Sequence, residues 1–295
     1  MKVLLTGASG FLGRHVLEAL RCRGIETVLV GRHRPADCPL EEYIETDLLA
    51  EPDGGTLFRA SGATHLLHLA WYVKHGQYWT SELNPRWAEA TVRLVDGCCR
   101  AGCQGMVLAG TCAEYDWSGG ICLEDSTPLR PATPYGASKD AARRQAMALG
   151  VQHQVPCAWG RVFLPYGSGE DPRRLVPSLI EVCRGRRAPF AVDAAAHRDF
   201  LHASDVAEGF VTLLNRQASG EFNISSGQPV EIGTLVRELA RIMGADLQAV
   251  LDLSVRRPGE PPLLAGDNRK LRALGWHPQL SLTQGLERTI REALA

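Results

Sequence analysis

Tyr135 and Lys139 stand four residues apart in the run Tyr135-Gly136-Ala137-Ser138-Lys139. On a helix that spacing stacks both side chains on one face. A lysine cation beside a phenol favours the phenolate, so the tyrosine is expected to titrate below its ordinary value of about 10. A group of that kind serves as general acid and base for an alcohol–ketone pair. Thr111 follows the apolar run Gly105–Ala109. Its hydroxyl is suited to hydrogen-bond a carbonyl oxygen and to steady negative charge developing there.

A second constellation opens the chain: Thr6-Gly7-Ala8-Ser9-Gly10-Phe11-Leu12-Gly13. It falls between an apolar run, Lys2–Thr6, and a helical pattern. Gly7 permits a tight turn, Gly10 lets the helix N-terminus approach a pyrophosphate, and Gly13 lets the helix pack close to the sheet. The backbone N–H groups of this segment, Ser9, Phe11 and Leu12 included, and the helix dipole then bind phosphate. The end of the second strand discriminates the cofactor. An acidic residue there holds the ribose 2′-OH of NAD. This chain has Gly31 at that place, followed by Arg32 and Arg34. Guanidinium groups bind a 2′-phosphate through charge-assisted pairs, so NADP is expected over NAD. Asp47 and Leu48, ending a third strand, are candidates for the adenine edge.

The elements that must position these residues alternate. Strands are expected at Lys2–Thr6, Glu26–Val30, Tyr43–Asp47, His65–Ala70, Gly105–Ala109 and Cys157–Val162. Helices are expected at Phe11–Arg23, 53–62, Leu83–Ala101 and Tyr135–Gly150. Strict alternation with tight loops implies an α/β fold with a doubly wound parallel sheet, the Rossmann arrangement. Beyond Pro165 the segments shorten and Pro and Gly multiply. Helices are expected at Leu175–Arg184, from near Ser204 with Ser204 or Asp205 as its cap, at Ile232–Met243, Asn268–Leu274 and Leu282–Leu294, with a strand at Glu221–Ile224. This reads as a dinucleotide-binding domain over 1–164, to which 204–225 returns, and a smaller, interleaved α/β substrate domain over 165–295.

Composition excludes several classes. The chain has 295 residues, 32 basic and 33 acidic, for a net charge of -1. No net pull toward nucleic acid or an anionic membrane is expected. No apolar stretch approaches ~18 residues, so none spans a membrane. The start of the chain reads as neither signal peptide nor anchor. Nine cysteines without ligand spacing read as reduced thiols in a cytoplasmic protein. Cys98, Cys99 and Cys103 read as helix-packing residues. His65 and His68, three apart on a strand, point to opposite faces, so no metal site is expected.

TGASGFLG, HLAW, Asn84, Thr111 four residues before Tyr115, YGASK, Arg161, RDFLHASD, FNISSG, RRPGE and LGWHP occur in this order along the whole chain. In this it resembles the extended short-chain dehydrogenase/reductases, most closely their nucleotide-sugar epimerase/dehydratase/reductase group. The resemblance implies Thr111, Tyr135 and Lys139 as the catalytic set, with Leu69, Ala70 and Trp71 of HLAW against the cofactor. It implies a nucleotide-diphosphate sugar between the domains, with Arg198 and Arg257 on its diphosphate. Trp71, Tyr72, Cys112, Ala113 and Phe163 are expected around its sugar. It also implies a homodimer built from the helices at 84–101 and 135–150. Two departures matter. The 4,6-dehydratases of this group carry an acidic pair after the catalytic Thr, where this chain has Cys112 and Ala113, so dehydration is disfavoured. Glu114 is one position late and, on a strand-like segment, faces away. Leu164 replaces an Asn that contacts substrate in the group. With Arg32 and Arg34, the expected reaction is NADPH-dependent reduction at C4 of a nucleotide-linked 4-keto-6-deoxyhexose. The alternative is a nucleotide-sugar epimerase. A non-catalytic NADP sensor is disfavoured by the intact Thr, Tyr and Lys.

Overall fold

The computed structural model describes residues 1–34, 42–50, 53–257 and 259–294. The first elements are β1 (Lys2–Thr6), α1 (Phe11–Arg21), β2 (Glu26–Gly31), β3 (Tyr43–Glu45), α2 (Gly54–Ser61), β4 (His65–His68), α3 (Leu83–Arg100) and β5 (Met106–Thr111). Then come β6 (Ile121–Cys122), α4 (Pro134–His153), β7 (Cys157–Val162), β8 (Leu164–Tyr166), α5 (Leu175–Cys183), β9 (His197–Arg198) and β10 (Phe200–His202). The chain continues with α6 (Ala203–Asn215), β11 (Gly220–Ile224), β12 (Val230–Glu231), α7 (Ile232–Met243), α8 (Gln248–Asp252), β13 (Leu263–Gly266), α9 (Arg269–Ala273) and α10 (Leu282–Leu294).

Seven strands form one parallel sheet in the order β11-β7-β5-β4-β1-β2-β3. It is doubly wound, as its alternating pattern predicts. Successive strand residues face opposite layers. Val3, Leu5 and Leu67 pack with Val16 and Leu20 of α1 and Phe210 of α6. Leu4 and Leu66 pack with Phe58 of α2, Leu94 of α3 and Ala142 of α4. With both faces covered, β4 and β7 are buried along their whole length, which is why they read as continuous apolar runs. The strand order reverses between β1 and β4, so a crevice opens outside their carboxyl ends.

Local chemistry fixes the helices that border this crevice. Thr133 caps α4, its Oγ1 accepting from the Gly136 N–H at 3.1 Å, and Pro134 occupies the first turn. Asp53 caps α2 through the Gly55 N–H, and Gly62 ends it at φ +62°. The cap of α6 differs from expectation. His202, not Ser204 or Asp205, caps it, its Nδ1 accepting from the Ser204 N–H at 3.2 Å. Asp205 instead accepts the backbone N–H groups of Gln279 and Leu280, tying α6 to the C-terminal segment.

The second half adds elements too short to show a period. β8 pairs with β10, and β12, β9, β13 and β6 form a four-stranded sheet. In the latter, Ala265 and Gly266 pair with Ile121 and Cys122. A separate core of Tyr166, Leu179, Leu235, Leu239 and Leu286 holds α5, α7 and α10 together beside the crevice. No helix among the described residues is long and apolar enough to cross a membrane.

Candidate active site

The carboxyl ends of β1, β2, β4, β5 and β7 open into a cavity of about 640 Å³, closed on its far side by segments around Phe163, Arg174, Arg198 and Leu264. Gly7, Ser9, Gly10, Phe11, Leu12 and Gly13 line one end. Gly7 has φ +77°, and a Cβ on it would fall 2.7 Å from the Ala70 nitrogen. No side chain caps α1 at Gly10, so the N–H groups of its first turn are left for a ligand. This bare, close-packed turn fits a dinucleotide pyrophosphate. Arg32, Asp47, Leu48, Leu69 and Ala70 line the same stretch of wall. Arg34 is exposed and is not part of this wall.

Thr111, Tyr135 and Lys139 meet at the other end, on the same wall. Thr111 is the last residue of β5 rather than the residue after it, and its Oγ1 accepts from the Ala113 N–H. Tyr135 lies edge-on to three rings: Tyr78 at 4.9 Å, Trp79 at 5.7 Å and Trp71 at 6.4 Å. Lys139 Nζ donates to the Ala109 carbonyl at 2.8 Å and stands 3.9 Å from the centre of the Trp71 ring. Trp71 is itself anchored, its Nε1 donating to Asn84 Oδ1 while Asn84 Nδ2 donates to the Tyr78 carbonyl.

The electrostatics of this corner overturn one expectation. Burial, then the neighbouring Tyr78, pushes the Tyr135 phenol above its ordinary range, while Thr111 opposes this through a hydrogen bond. Burial draws Lys139 down to about 7. The aromatic cage desolvates both groups, and the lysine charge is aimed at a carbonyl and an indole face. In the free protein Tyr135 is a neutral phenol.

On the substrate side, Trp71, Cys112, Phe163 and Arg198 line the cavity. Burial keeps the Cys112 thiol protonated. Arg198 donates to the carbonyls of His197 and Pro261 and pairs with Glu260 at 3.0 Å. Three expected contacts are not on this wall. Arg257 is exposed and turned to Glu260. The Tyr72 hydroxyl donates to Gln77, away from the wall that Trp71 and Val73 line. Ala113 lines a neighbouring cleft of about 400 Å³ with Trp117, Arg130 and Glu260.

Glu114 stays off the cavity wall as expected, but its local conformation is corrected. Its segment is a single 3-10 turn, not a strand, which turns the carboxylate inward, fully buried, to pair with Arg161 at 2.7 Å. The sequence reading missed Tyr78, Trp79, Trp87 and Arg174, which all line the cavity. The aromatic cluster Tyr78-Trp79 is visible in the sequence but has no spacing that marks it. Arg174 precedes α5 and sits 3.7 Å from Glu170. His68 is held between the hydroxyls of Thr6 and Thr91 at 2.7 and 2.9 Å, and burial lowers it to about 3. Cys98 and Cys99 of α3 and Cys103 just after it are buried free thiols in the core beneath that helix.

Known proteins place this architecture. The UDP-glucose 4-epimerase of Azospirillum brasilense is 28% identical over 324 aligned positions, which cover 98% of this chain and 90% of that protein. The solved structure of MoeE5 with UDP-glucuronic acid and NAD superposes with a TM-score of 0.85 at 28% identity, covering 100% of this chain and 99% of the other. The dTDP-glucose 4,6-dehydratase DesIV of Streptomyces venezuelae, solved with NAD, superposes with a TM-score of 0.84 at 26% identity, covering 100% and 97%. Residues 3–225 match the sequence model of the NAD dependent epimerase/dehydratase family. With that match spanning both the glycine turn and the Thr-Tyr-Lys corner, the chain belongs to the NAD dependent epimerase/dehydratase family.

Proposed function

We propose that this chain oxidises and re-reduces one ring carbon of a nucleotide-diphosphate sugar, acting as an epimerase. The observation that carries the reading is a shared wall: the glycine turn and Thr111, Tyr135 and Lys139 line one cavity. Relatives named as UDP-glucose 4-epimerases favour epimerisation. Against dehydration stand Cys112 and Ala113, since neither side chain is a carboxylate able to move the protons of an elimination.

A bound nicotinamide supplies the hydride acceptor and donor. The chain supplies the rest. Thr111 orients the reacting oxygen, Tyr135 exchanges its proton, and Lys139 balances the phenolate while that proton is away. The neutral phenol of the free protein suits the re-reduction half, in which Tyr135 donates. Arg174 and Arg198 hold the diphosphate from the far wall. Trp71, Phe163 and Cys112 exclude water from the sugar. The outer faces of α3 and α4 make a homodimer. Residues 1–164 with 204–225 form the dinucleotide domain and the rest of 165–295 the substrate domain. A cytoplasmic setting suits the free buried thiols.

One observation favours a second reading. Arg32 follows Gly31 on the cavity wall, where a 2′-phosphate would sit. This suits NADPH-dependent reduction of a nucleotide-linked 4-keto-6-deoxyhexose. Incubation with UDP-glucose, UDP-glucuronic acid or dTDP-glucose and NAD, analysed by NMR, tests the first reading: a C4 epimer should appear with no net change in absorbance at the nicotinamide band. Steady loss of NADPH with a 4-keto sugar would replace it by the second. Tyr135→Phe should lower turnover by about 10²–10⁴-fold in either case.

A further inference from the structure

Three donors converge on the Glu114 carboxylate beneath the catalytic corner. The backbone N–H of Thr111 donates at 2.8 Å, Trp159 Nε1 at 3.0 and 3.2 Å, and Arg161 Nε at 2.7 Å. Arg161 also donates to the Tyr115 hydroxyl, which donates to Asn223. The packing is tight: a Cβ on Gly110 would fall 2.1 Å from Trp159 Nε1 and 2.9 Å from Glu114 Oε1. The Trp159 ring in turn lies 6.0 Å from Lys139 Nζ.

A buried ion pair is seldom a net stabiliser, because desolvating two charges offsets their attraction. This one touches the backbone of the residue whose hydroxyl meets the substrate oxygen. We propose that Glu114 is a positioning residue for catalysis, fixing Thr111 through its N–H and placing one buried negative charge behind Lys139 and Tyr135. The proposal rests on the reading of Thr111, Tyr135 and Lys139 as the catalytic set.

The charged and titratable neighbours give the sign. Glu114 faces Arg161 and Tyr115. Lys139 faces Glu114, which raises it, and His68 on the same side of the sheet. Tyr135 faces Tyr78, Glu114 and Cys112, all raising it. Glu114→Gln removes the negative charge and leaves Arg161 unbalanced, so Lys139 and Tyr135 both move to lower pH. Glu114→Asp keeps the charge but withdraws it from the Thr111 N–H.

Two measurements test this. Without substrate, tryptophan emission is followed from pH 5 to 9. A step that is present in the wild type and absent in Lys139→Met reports the ammonium over Trp71. It should fall by about one pH unit in Glu114→Gln and stay in place in Glu114→Asp. With UDP-glucose and NAD, a double-mutant cycle combines each Glu114 variant with Thr111→Val. With Thr111 intact, each Glu114 variant should lower kcat about 10–100-fold and leave KM within about 3-fold. In the Thr111→Val background, Glu114→Asp should have little further effect on kcat, and Glu114→Gln should keep only the smaller part that the lost charge causes. An unmoved emission step in Glu114→Gln, or equal kcat losses in both backgrounds, would overturn the Glu114 proposal alone. Undiminished kcat in Thr111→Val would overturn the catalytic reading and this proposal with it. If Glu114→Gln fails to fold, the Glu114→Asp cycle decides by the same criterion.

Discussion

Gly13 and Gly7 touch so closely that a Cβ on Gly13 would fall 2.0 Å from the Gly7 carbonyl oxygen. The obstacle is backbone, so it cannot swing aside. Gly13→Ala is expected to force α1 off the turn, at a cost of about 1–3 kcal/mol in stability. Dinucleotide binding, followed by calorimetry, should be lost while the rest of the fold persists by circular dichroism. Unchanged affinity would show that the turn does not hold the pyrophosphate.

Arg32 tests cofactor choice. Replacing Arg32 with Ser removes a charge-assisted contact of about 1.5–3 kcal/mol if a 2′-phosphate rests there. NADPH affinity should then drop by about 10–100-fold while NADH affinity hardly moves. Equal changes for both cofactors would assign Arg32 to the adenine or to solvent.

Arg174 lines the cavity beside Glu170, whose carboxyl burial raises to about 8. Arg174→Met keeps much of the apolar stem and removes the charge. KM for the nucleotide sugar is expected to rise about 10-fold or more, with kcat changed far less. A loss confined to kcat would instead place Arg174 in the chemistry.

His202 carries an acid-side prediction. Its Nε2 is buried without a hydrogen-bond partner, and burial lowers its pKa to about 4. Arg288 and His15 act in the same sense. The unfolded chain takes up this proton near pH 6.5, the folded one only near 4. Stability is therefore complete above 6.5 and falls by up to ~1.4 kcal/mol per pH unit between those values. His202→Asn keeps the cap of α6. Chemical denaturation across about pH 4–7 should show a shallower slope for this variant, and parallel slopes would refute the assignment.

Much of the dinucleotide half was legible because its strands are buried on both faces and its turns carry glycines that backbone geometry demands. β1, β7 and α7 begin and end where their apolar runs do. That Tyr135 and Lys139 share one helix face was legible because they are one helical turn apart. What escaped depends on partners distant in sequence. Arg257 lies exposed, 3.4 Å from Glu260, a placement set by the fold of its loop rather than by any local pattern. Arg174 enters the wall through the placement of α5. Tyr135 is neutral because rings from residues 71–79 surround it. Glu114 turns inward because a 3-10 turn, not a strand, follows Thr111. Two-residue strands such as β6 and β9 show no period at all.

The pairing of Ile121 and Cys122 with Ala265 and Gly266 has a consequence for biosynthesis. A nascent chain leaving the ribosome carries Thr111, Tyr135 and Lys139 long before it carries the strand that closes beside them. Six of the seven parallel strands precede residue 163, but the corner that holds these residues lacks its covering strand until residues 263–266 emerge. Late-translated residues thus complete the cavity, and a chain stalled before them would carry most of the sheet without its covering strand.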